Sequence, residues 1–250
     1  MDDVVALLAH EHAALGDLVG SLDPVAFGRP TRCEGWDVAD VVLHLAQTDE
    51  MALDSVEGRL GAASGSWRQA GPVHSVDEGA SRLVADQRGE DPQAVVMRWG
   101  RAARRLEEVL GTMDLSTRVP WVAGELSART LAATRLAETW IHGGDVAEAL
   151  GVVRAPTRRL HPVARLAWRT LPYAFARAGR TLAGPVAFLL VGPDGERWDF
   201  VPDGEPTTTV TGPAVELCEV AARRRPAAAT TLEASGPDAG AVLELVRTYA

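Results

Sequence analysis

The sequence predicts an α+β protein with a four-helix bundle in its N-terminal part and a smaller mixed unit in its C-terminal part. In the first 150 residues, apolar residues recur at helical spacing in four long segments. After residue 185, short β-prone runs alternate with Gly-Pro-Asp-Gly and Pro-Asp-Gly-Glu-Pro turns. A turn-rich linker at residues 153–156 separates the two patterns. We therefore expect a helical bundle over residues 1–152 and an α+β domain over residues 157–250.

The long helical segments begin and end at residues that typically cap helices. Asp37, with Asp40 three residues later, fits a capping box. Asp91-Pro92 fits an N-cap followed by a proline in the first turn, and Gly151 fits a C-cap. The predicted helices cover residues 2–21, 38–59, 92–110 and 127–150, with an accessory helix at 76–88 and loops at 61–73 and 119–126.

The pattern after the linker is a helix, then short strands, then two more helices. Turn residues separate the strands, which is typical of hairpins in a small α+β domain. The predicted helices of this part cover residues 157–179, 214–224 and 238–249, and the predicted strands cover residues 186–191, 196–201 and 207–211.

Composition and charge argue against several classes of protein. Hydrophobic residues make up 46% and charged residues 24%, as in soluble globular chains, and the longest apolar runs are far too short to span a membrane. Lys and Arg number 25 against 34 Asp and Glu, and this net charge of -9 argues against nucleic acid as a partner. The acidic start, Met1-Asp2-Asp3, lacks a secretory signal, so we expect a cytoplasmic protein.

The two cysteines cannot form a thiolate metal site by themselves. Cys33 and Cys218 lie 185 positions apart, with no Cys-x-x-Cys pair and no disulfide framework. Cys33 is interpreted as a small buried residue, although its position before the second helix could bring it close to a site there. Any metal must therefore be bound by histidines and carboxylates.

Candidate ligands lie on two of the bundle helices. His44 shares the inward face of the second helix with Val41, whereas Glu138 and His142 lie one turn apart on the fourth helix, followed on the same face by Asp145. A carboxylate and an imidazole one turn apart can chelate one ion, and a histidine from a facing helix completes three ligands. Three protein ligands leave one position open, as in catalytic sites.

Each of these residues also has a simpler interpretation. An inward histidine is more often a hydrogen-bonded core residue than a ligand, and Glu-x-x-x-His is common as an ordinary surface pair. His10 and His12 flank Glu11 on the polar side of the first helix, where we expect a solvated face.

The segments that carry these residues resemble a known family. Residues 31–46, Thr-Arg-Cys-Glu-Gly-Trp-Asp-Val-Ala-Asp-Val-Val-Leu-His-Leu-Ala, and residues 138–147, Glu-Thr-Trp-Ile-His-Gly-Gly-Asp-Val-Ala, resemble the mycothiol-dependent maleylpyruvate isomerases, a branch of the DinB-like metal-binding bundles. Residues 210–214 and 223–225 resemble the small α/β (SCP2-like) C-terminal domain attached to these bundles in actinobacteria. The resemblance covers nearly the whole chain and implies both domains.

The resemblance also implies a site and a chemistry. It implies that His44, Glu138 and His142 bind a divalent metal, usually zinc, with nickel or manganese as alternatives. It also implies that Arg224 reaches a small anionic substrate. From its place on the same helix face, we expect Asp145 to orient His142 or to act as a further ligand. The co-substrate would be mycothiol, used for isomerisation or for thiol transfer. The simpler interpretation of residues 223–225 is a basic cluster that complements a helix C-terminus.

Two other functions stay open at this point. One is a thiol-independent, metal-dependent lyase, cyclase or hydrolase of a biosynthetic pathway, and the other is a non-catalytic protein that binds a small ligand. Gly143-Gly144 departs from the bulkier residues expected of the isomerase itself, so the substrate is not carried over. The chain is expected to be a monomer or a homodimer.

Overall fold

The computed structural model of the chain describes residues 3–60, 76–122 and 124–248, with only the backbone given for residues 76 and 77. Two compact units are present, residues 1–154 and residues 155–250, so the division falls inside the turn-rich segment 153–156. The whole of the predicted loop 61–73, with Trp67, lies outside the described residues, as does His74.

The first unit consists mainly of helices, and its four long helices confirm the predicted ones to within a few residues. In chain order its elements are α1 (Val4–Val19), α2 (Pro24–Phe27), α3 (Val38–Val56), α4 (Val76–Gln87), α5 (Pro92–Thr112), β1 (Arg118–Trp121), β2 (Gly124–Ser127) and α6 (Ala128–Leu150).

The four long helices pack around one apolar core. Helices α1 and α3 each contact both α5 and α6, which closes the bundle. Each fully buried Leu or Val side chain contributes about 1.5–3 kcal/mol relative to exposure. Among the buried core residues are Leu15, Val19, Val41, Leu45, Trp99 and Val146. Because this core fixes α3 against α6, side chains on their facing surfaces are held in register.

The caps of the two site-bearing helices agree with the prediction. The Asp37 side chain accepts from the Asp40 amide, and the Asp40 side chain accepts from the Asp37 amide, which confirms the capping box on α3. Ser127 caps α6 by accepting from the amide of Thr130. Gly151 ends α6 with φ of 72°, a left-handed conformation that favours glycine. Each such N-cap is worth about 1 kcal/mol.

Among the described residues, three elements of the first unit were not predicted: β1, β2 and α2. The predicted loop at 119–126 is an antiparallel hairpin of β1 and β2, in which Val119 pairs with Leu126. Pro120 lies within β1 and weakens its strand signal, because proline cannot donate to a ladder. The short helix α2 follows the first helix and begins at Pro24, where the Asp23 side chain accepts a hydrogen bond from the amide of Ala26.

The second unit is a small α+β domain with a mixed sheet. Its elements are α7 (Leu160–Arg169), α8 (Leu171–Arg177), β3 (Val186–Val191), β4 (Arg197–Phe200), β5 (Thr208–Pro213), α9 (Ala214–Ala221), a 3₁₀ turn (Ala227–Ala229), β6 (Glu233–Ser235) and α10 (Ala239–Leu245). The strand order is β4-β3-β5-β6, with β3 antiparallel to β4 and parallel to β5. The predicted helix-then-sheet order, and with it the α+β class, is therefore confirmed.

Several details of the second unit correct the prediction. The predicted helix 157–179 is two helices that meet at Thr170, because Pro172 lacks the amide needed to continue the hydrogen-bond ladder. Strand β5 pairs in parallel with β3 rather than in a hairpin. Strand β6 has only three residues, too few to produce an alternating pattern. Within the described ranges, no helix combines the length and apolarity needed to cross a membrane.

Candidate metal centre

Helices α3 and α6 bring the three predicted ligands together inside the bundle. His44 Nε2 lies 3.1 Å from Glu138 Oε2, and His142 Nε2 lies 3.6 Å from the same oxygen. One ligand atom from each of the three residues falls within 4.8 Å of the others. His44 is 7% exposed and Glu138 6%, so the cluster lies in the core of the bundle rather than on its surface.

The turn before α3 supplies an aromatic wall for both histidines. The ring centroid of Trp36 lies 5.1 Å from that of His44 and 6.4 Å from that of His142. The turn is closed because the carbonyl of Trp36 accepts hydrogen bonds from the amide and the hydroxyl of Thr31. The two imidazoles lie edge to face with centroids 4.9 Å apart. Trp36 therefore restricts both rings and shields them from water.

Asp145 and Cys33 contact the other nitrogen of His142. Asp145 Oδ2 lies 3.0 Å from His142 Nδ1, and Cys33 Sγ donates to the same carboxylate oxygen at 3.3 Å. Cys33 Sγ also lies 3.8 Å from His142 Nδ1. A carboxylate that accepts from Nδ1 fixes the tautomer whose Nε2 lone pair can bind a metal. Cys33 is only half buried and has these polar neighbours, so the interpretation as a small buried residue was wrong.

The local charges separate the pKa values of the three residues. Burial would raise the pKa of Glu138, but the hydrogen bond from His44 and the nearby charges of His142, His44 and Arg135 lower it to about 2. Burial lowers the pKa of His44 below its usual value. Burial would also lower the pKa of His142, yet its bonds to Asp145 and Cys33 and the negative charge of Glu138 raise it to about 9. Near neutral pH, Glu138 is thus an anion beside a neutral His44 and a protonated His142.

The donor set matches the requirements of a tetrahedral divalent ion. Zinc binds imidazole nitrogen and carboxylate oxygen at about 2.0–2.2 Å, so two such ligands on one ion lie about 3.3 Å apart. The separations of 3.1 and 3.6 Å from Glu138 Oε2 to the two Nε2 atoms bracket that value. The residues present therefore fit a metal bound by two histidines and one glutamate.

A second buried polar cluster lies next to the first and was missed by the sequence analysis. The Arg135 guanidinium is 1% exposed and donates through Nε to Asp49 Oδ1 at 2.8 Å and through Nη2 to Thr48 Oγ1 at 2.8 Å. Trp99 Nε1 donates to Asp49 Oδ2 at 3.0 Å. Arg135 Nη1 lies 4.0 Å from Glu138 Oε2, so the two clusters adjoin.

The solvated face predicted for His12 and Glu11 is wrong. His12 is 4% exposed, with Nδ1 at 2.6 Å from Glu107 Oε1 and Nε2 at 3.6 Å from Asp49 Oδ2. Glu11 is fully buried and pairs with Arg154, whose guanidinium also donates to the carbonyl of Trp140. Both residues lie beside the apolar stripe of α1, and they are buried because α1 packs against both α5 and α6. Only His10 of this segment is exposed.

Gly143 leaves room for that arginine. A Cβ at Gly143 would lie 2.8 Å from Arg154 Nη1. The small residue after His142 thus leaves space for the Glu11–Arg154 pair, whereas a side chain at Gly144 would meet no neighbouring atom.

Arg224, the predicted substrate-binding residue, belongs to the second unit. Helix α9 ends at Ala221, and Arg223 follows with φ of 60°. Arg224 Nη1 donates to the carbonyl of Ala222, whereas Arg225 pairs with Glu216 and Glu219. Residues 223–225 line a cavity of about 660 Å³ together with Pro226, Gly240 and Leu243. The ion pairs of Arg225 agree with a structural part for that residue.

A helical bundle with two histidines and a carboxylate converging in its core belongs to the class of bundles that build sites from facing helices. Comparison with known proteins identifies the family within that class. The profile of the family described as mycothiol maleylpyruvate isomerase N-terminal domain matches residues 8–147. The chain belongs to this family, as its two segments around His44 and Glu138 predicted.

The curated relatives and the solved structures extend the likeness over both units. An uncharacterized protein of Mycobacterium tuberculosis, from strains CDC 1551 / Oshkosh and ATCC 25618, is 35% identical over 248 residues, which is 98% of this chain and 95% of that protein. The crystal structure of the mycothiol-dependent maleylpyruvate isomerase matches with a TM-score of 0.62 at 20% identity, over 93% of this chain and 91% of that one. A histidine-to-alanine mutant of that enzyme matches with a TM-score of 0.61 at 18% identity. At these identities the structures support the fold.

Proposed function

We propose that the chain is a metal-dependent enzyme that uses a low-molecular-weight thiol, mycothiol, to isomerise or thiolate a small electrophilic or anionic substrate. The observation that carries the proposal is the convergence of His44, Glu138 and His142 on one point inside the bundle. Family membership supports the thiol, because the family description and the matched structures both name mycothiol.

The three side chains would bind the metal, most simply Zn²⁺, with Ni²⁺ or Mn²⁺ as alternatives. When bound by two neutral imidazoles and one carboxylate, a divalent ion supplies a Lewis acid of net positive charge, which lowers the pKa of a thiol or a water molecule at its open position. Mycothiol supplies a sulfur nucleophile, whose reversible addition to an activated double bond allows cis–trans rotation.

The protein's own groups prepare that chemistry. Asp145 would hold the Nδ1 proton of His142, so that Nε2 points towards Glu138 Oε2. Trp36 packs against both imidazoles and limits the access of water on that side. His142 must lose a proton when metal binds, because its pKa is raised to about 9.

We further propose Arg224 as the residue that binds an anionic group of the substrate. A guanidinium is always charged and matches a carboxylate with two parallel hydrogen bonds. Arg224 lies in the basic segment that resembles the C-terminal domain of the family and lines the cavity of the second unit. Arg224→Met should raise KM for an anionic substrate more than it lowers kcat, whereas Arg158→Met, a change at an exposed arginine of the same unit, should leave both unchanged.

The test combines metal content with thiol dependence. Wild-type protein purified without added chelator should carry about one divalent ion per chain by elemental analysis, and the His44→Ala, Glu138→Ala double variant should carry none. With maleylpyruvate or another small electrophile and mycothiol, the wild type should turn over, and turnover should stop without the thiol. Equal metal content in the two proteins would contradict the metal site. Turnover that persists without thiol would point to the lyase, cyclase or hydrolase alternative, and ligand binding unaffected by loss of all three residues would point to a binding protein.

A further inference from the structure

The buried Arg135–Asp49 pair lies beside Glu138 and has no part in the proposed function. A guanidinium in a protein core needs an anionic partner, because an unpaired buried charge is strongly unfavourable. Two carboxylates are near Arg135. Asp49 bonds directly at 2.8 Å, whereas Glu138 Oε2 lies 4.0 Å from Nη1, beyond hydrogen-bonding distance.

Two hydrogen bonds to residues of α3 hold the guanidinium on the Asp49 side, and two further bonds fix those partners. Asp49 accepts from Arg135 Nε, Thr48 Oγ1 accepts from Nη2 at 2.8 Å, and the Thr48 hydroxyl itself donates to the carbonyl of His44 at 2.8 Å. Trp99 Nε1 fixes the second oxygen of Asp49 at 3.0 Å. Asp49 is fully buried, so its charge is poorly screened by solvent.

We propose that Asp49 is a positioning residue that holds Arg135 away from Glu138, so that Glu138 Oε2 stays available to a metal ion. This inference rests on the proposed function. Without the charge on Asp49, Glu138 is the anionic group closest to Arg135 among the described contacts. The guanidinium would then pair with Glu138, and the net charge of the three groups would rise from -1 to 0. Both changes oppose the binding of a dication.

Comparing the zinc affinity of a single variant with that of a double variant separates this role from a merely structural one. Asp49→Asn keeps the shape of the side chain but removes its charge, and it should weaken zinc binding by about 10–100-fold, the range for residues that act through a ligand. Adding Arg135→Met removes the cation that would occupy Glu138, and buried ion pairs can be replaced by apolar side chains of similar size. The double variant should therefore bind zinc to within about threefold of the wild type. A structural role predicts that the double variant is no better than Asp49→Asn.

Asp40→Asn is the matched control. Asp40 is also a buried carboxylate on α3 and also pairs with an arginine, but its partner is Arg88, which is half exposed. This variant should bind zinc like the wild type.

The experiment is a competition titration of the metal-free full-length proteins with zinc chloride against a chromophoric chelator, with circular dichroism to verify folding. Weak binding by Asp49→Asn, restored in the double variant, is the expected result. Equal affinity of Asp49→Asn and wild type, or no restoration, overturns the inference while leaving the metal site intact. If Asp49→Asn does not fold, the double variant alone tests the proposal, because a zinc affinity more than tenfold below that of the wild type contradicts it. A wild type that binds zinc no better than His44→Ala overturns the proposed function itself.

Discussion

Two buried polar clusters share helices α3 and α6, and they differ in how their hydrogen bonds are completed. Around Asp49, both carboxylate oxygens accept hydrogen bonds, one from Arg135 Nε at 2.8 Å and the other from Trp99 Nε1 at 3.0 Å, and Thr48 Oγ1 accepts from the same guanidinium at 2.8 Å. Around Glu138, two imidazole nitrogens face one carboxylate oxygen, at 3.1 and 3.6 Å. In the first cluster the Asp49 carboxylate is hydrogen-bonded and paired with a cation, whereas in the second an atom from each of three side chains converges on one point.

This difference separates polar residues that stabilise the fold from those that would bind a ligand. A buried network whose polar groups are hydrogen-bonded fixes the packing of its helices. When one partner is removed, the other stays buried without a hydrogen bond, which destabilises the fold. In the Glu138 cluster, burial lowers the pKa of His44 below its usual value, which keeps this imidazole neutral and able to bind a metal ion. The comparison thus predicts opposite consequences for substitutions only one or two helical turns apart.

The largest effect is expected at the ligands themselves. His44→Ala should weaken zinc binding by more than about 100-fold, beyond the range of residues that act through a ligand, because it removes one of the three proposed ligands. The free energy of unfolding of the metal-free protein should stay within about 1 kcal/mol of wild type, since a poorly solvated imidazole is removed. Zinc titration measures the affinity, and urea denaturation measures the free energy of unfolding. A metal-free variant that loses several kcal/mol would make this cluster structural.

The opposite pattern is expected in the second cluster. Arg135→Ala leaves the buried Asp49 carboxylate without its cation and should lower the free energy of unfolding by about 3–5 kcal/mol. Urea denaturation of the metal-free protein measures the loss. Arg82→Ala, at a partly exposed pair on α4, is the control and should cost less than about 1 kcal/mol. Comparable losses in the two variants would remove the distinction between the clusters.

An intermediate effect is expected where Asp145 supports His142. Asp145→Asn should weaken zinc binding by about 10–100-fold, because the amide holds the Nδ1 proton less firmly than the carboxylate does. Asp17→Asn, at an exposed position on α1, provides the control and should leave zinc affinity unchanged. If Asp145→Asn abolishes binding as completely as His44→Ala, Asp145 is itself a ligand.

Glu216, a hydrogen-bonded carboxylate of the second unit, allows a prediction of how the free energy of unfolding depends on pH. Glu216 accepts from the amide and hydroxyl of Thr231 and pairs with Arg225. Burial would raise its pKa, but these bonds lower it below its usual value of 4.5. A carboxyl with a lowered pKa stabilises the fold above its ordinary pKa, and that stability is lost as pH falls through the lowered value. The unfolding free energies of wild type and Glu216→Gln should therefore converge below pH 4.5. A constant difference down to pH 2 would contradict this.

The smallest effect is expected at Cys33. Its thiol donates to Asp145 Oδ2 at 3.3 Å, and a serine hydroxyl can make the same bond. Cys33→Ser should therefore bind zinc to within about threefold of the wild type in the same titration. A loss beyond tenfold would mean that the sulfur itself is a ligand.

The sequence predicts the first cluster far better than the second. Glu138 and His142 are recognisable because one helical turn separates them, and His44 because it shares a face with core residues such as Val41. Helix ends are recognisable from local caps such as Asp37 and Gly151. These signals lie within a few residues of each other along the chain.

The buried polar residues that the sequence did not predict have partners far away along the chain. Asp49 and Arg135 are 86 residues apart, and each alone has the composition of a solvated helix face. His12 and Glu11 are buried where α1 packs in the bundle, and their partners Glu107 and Arg154 come from distant parts of the chain. Pairing of this kind is a property of the folded bundle, so no local pattern predicts it.

The central claim is that His44, Glu138 and His142 bind one metal ion. A crystal of the full-length protein soaked with zinc and measured above and below the zinc absorption edge tests it most directly. The account predicts one strong anomalous peak about 2.0–2.2 Å from His44 Nε2, His142 Nε2 and Glu138 Oε2. No peak there, or a peak held instead by Cys33, Asp145 and His142 Nδ1, would contradict it.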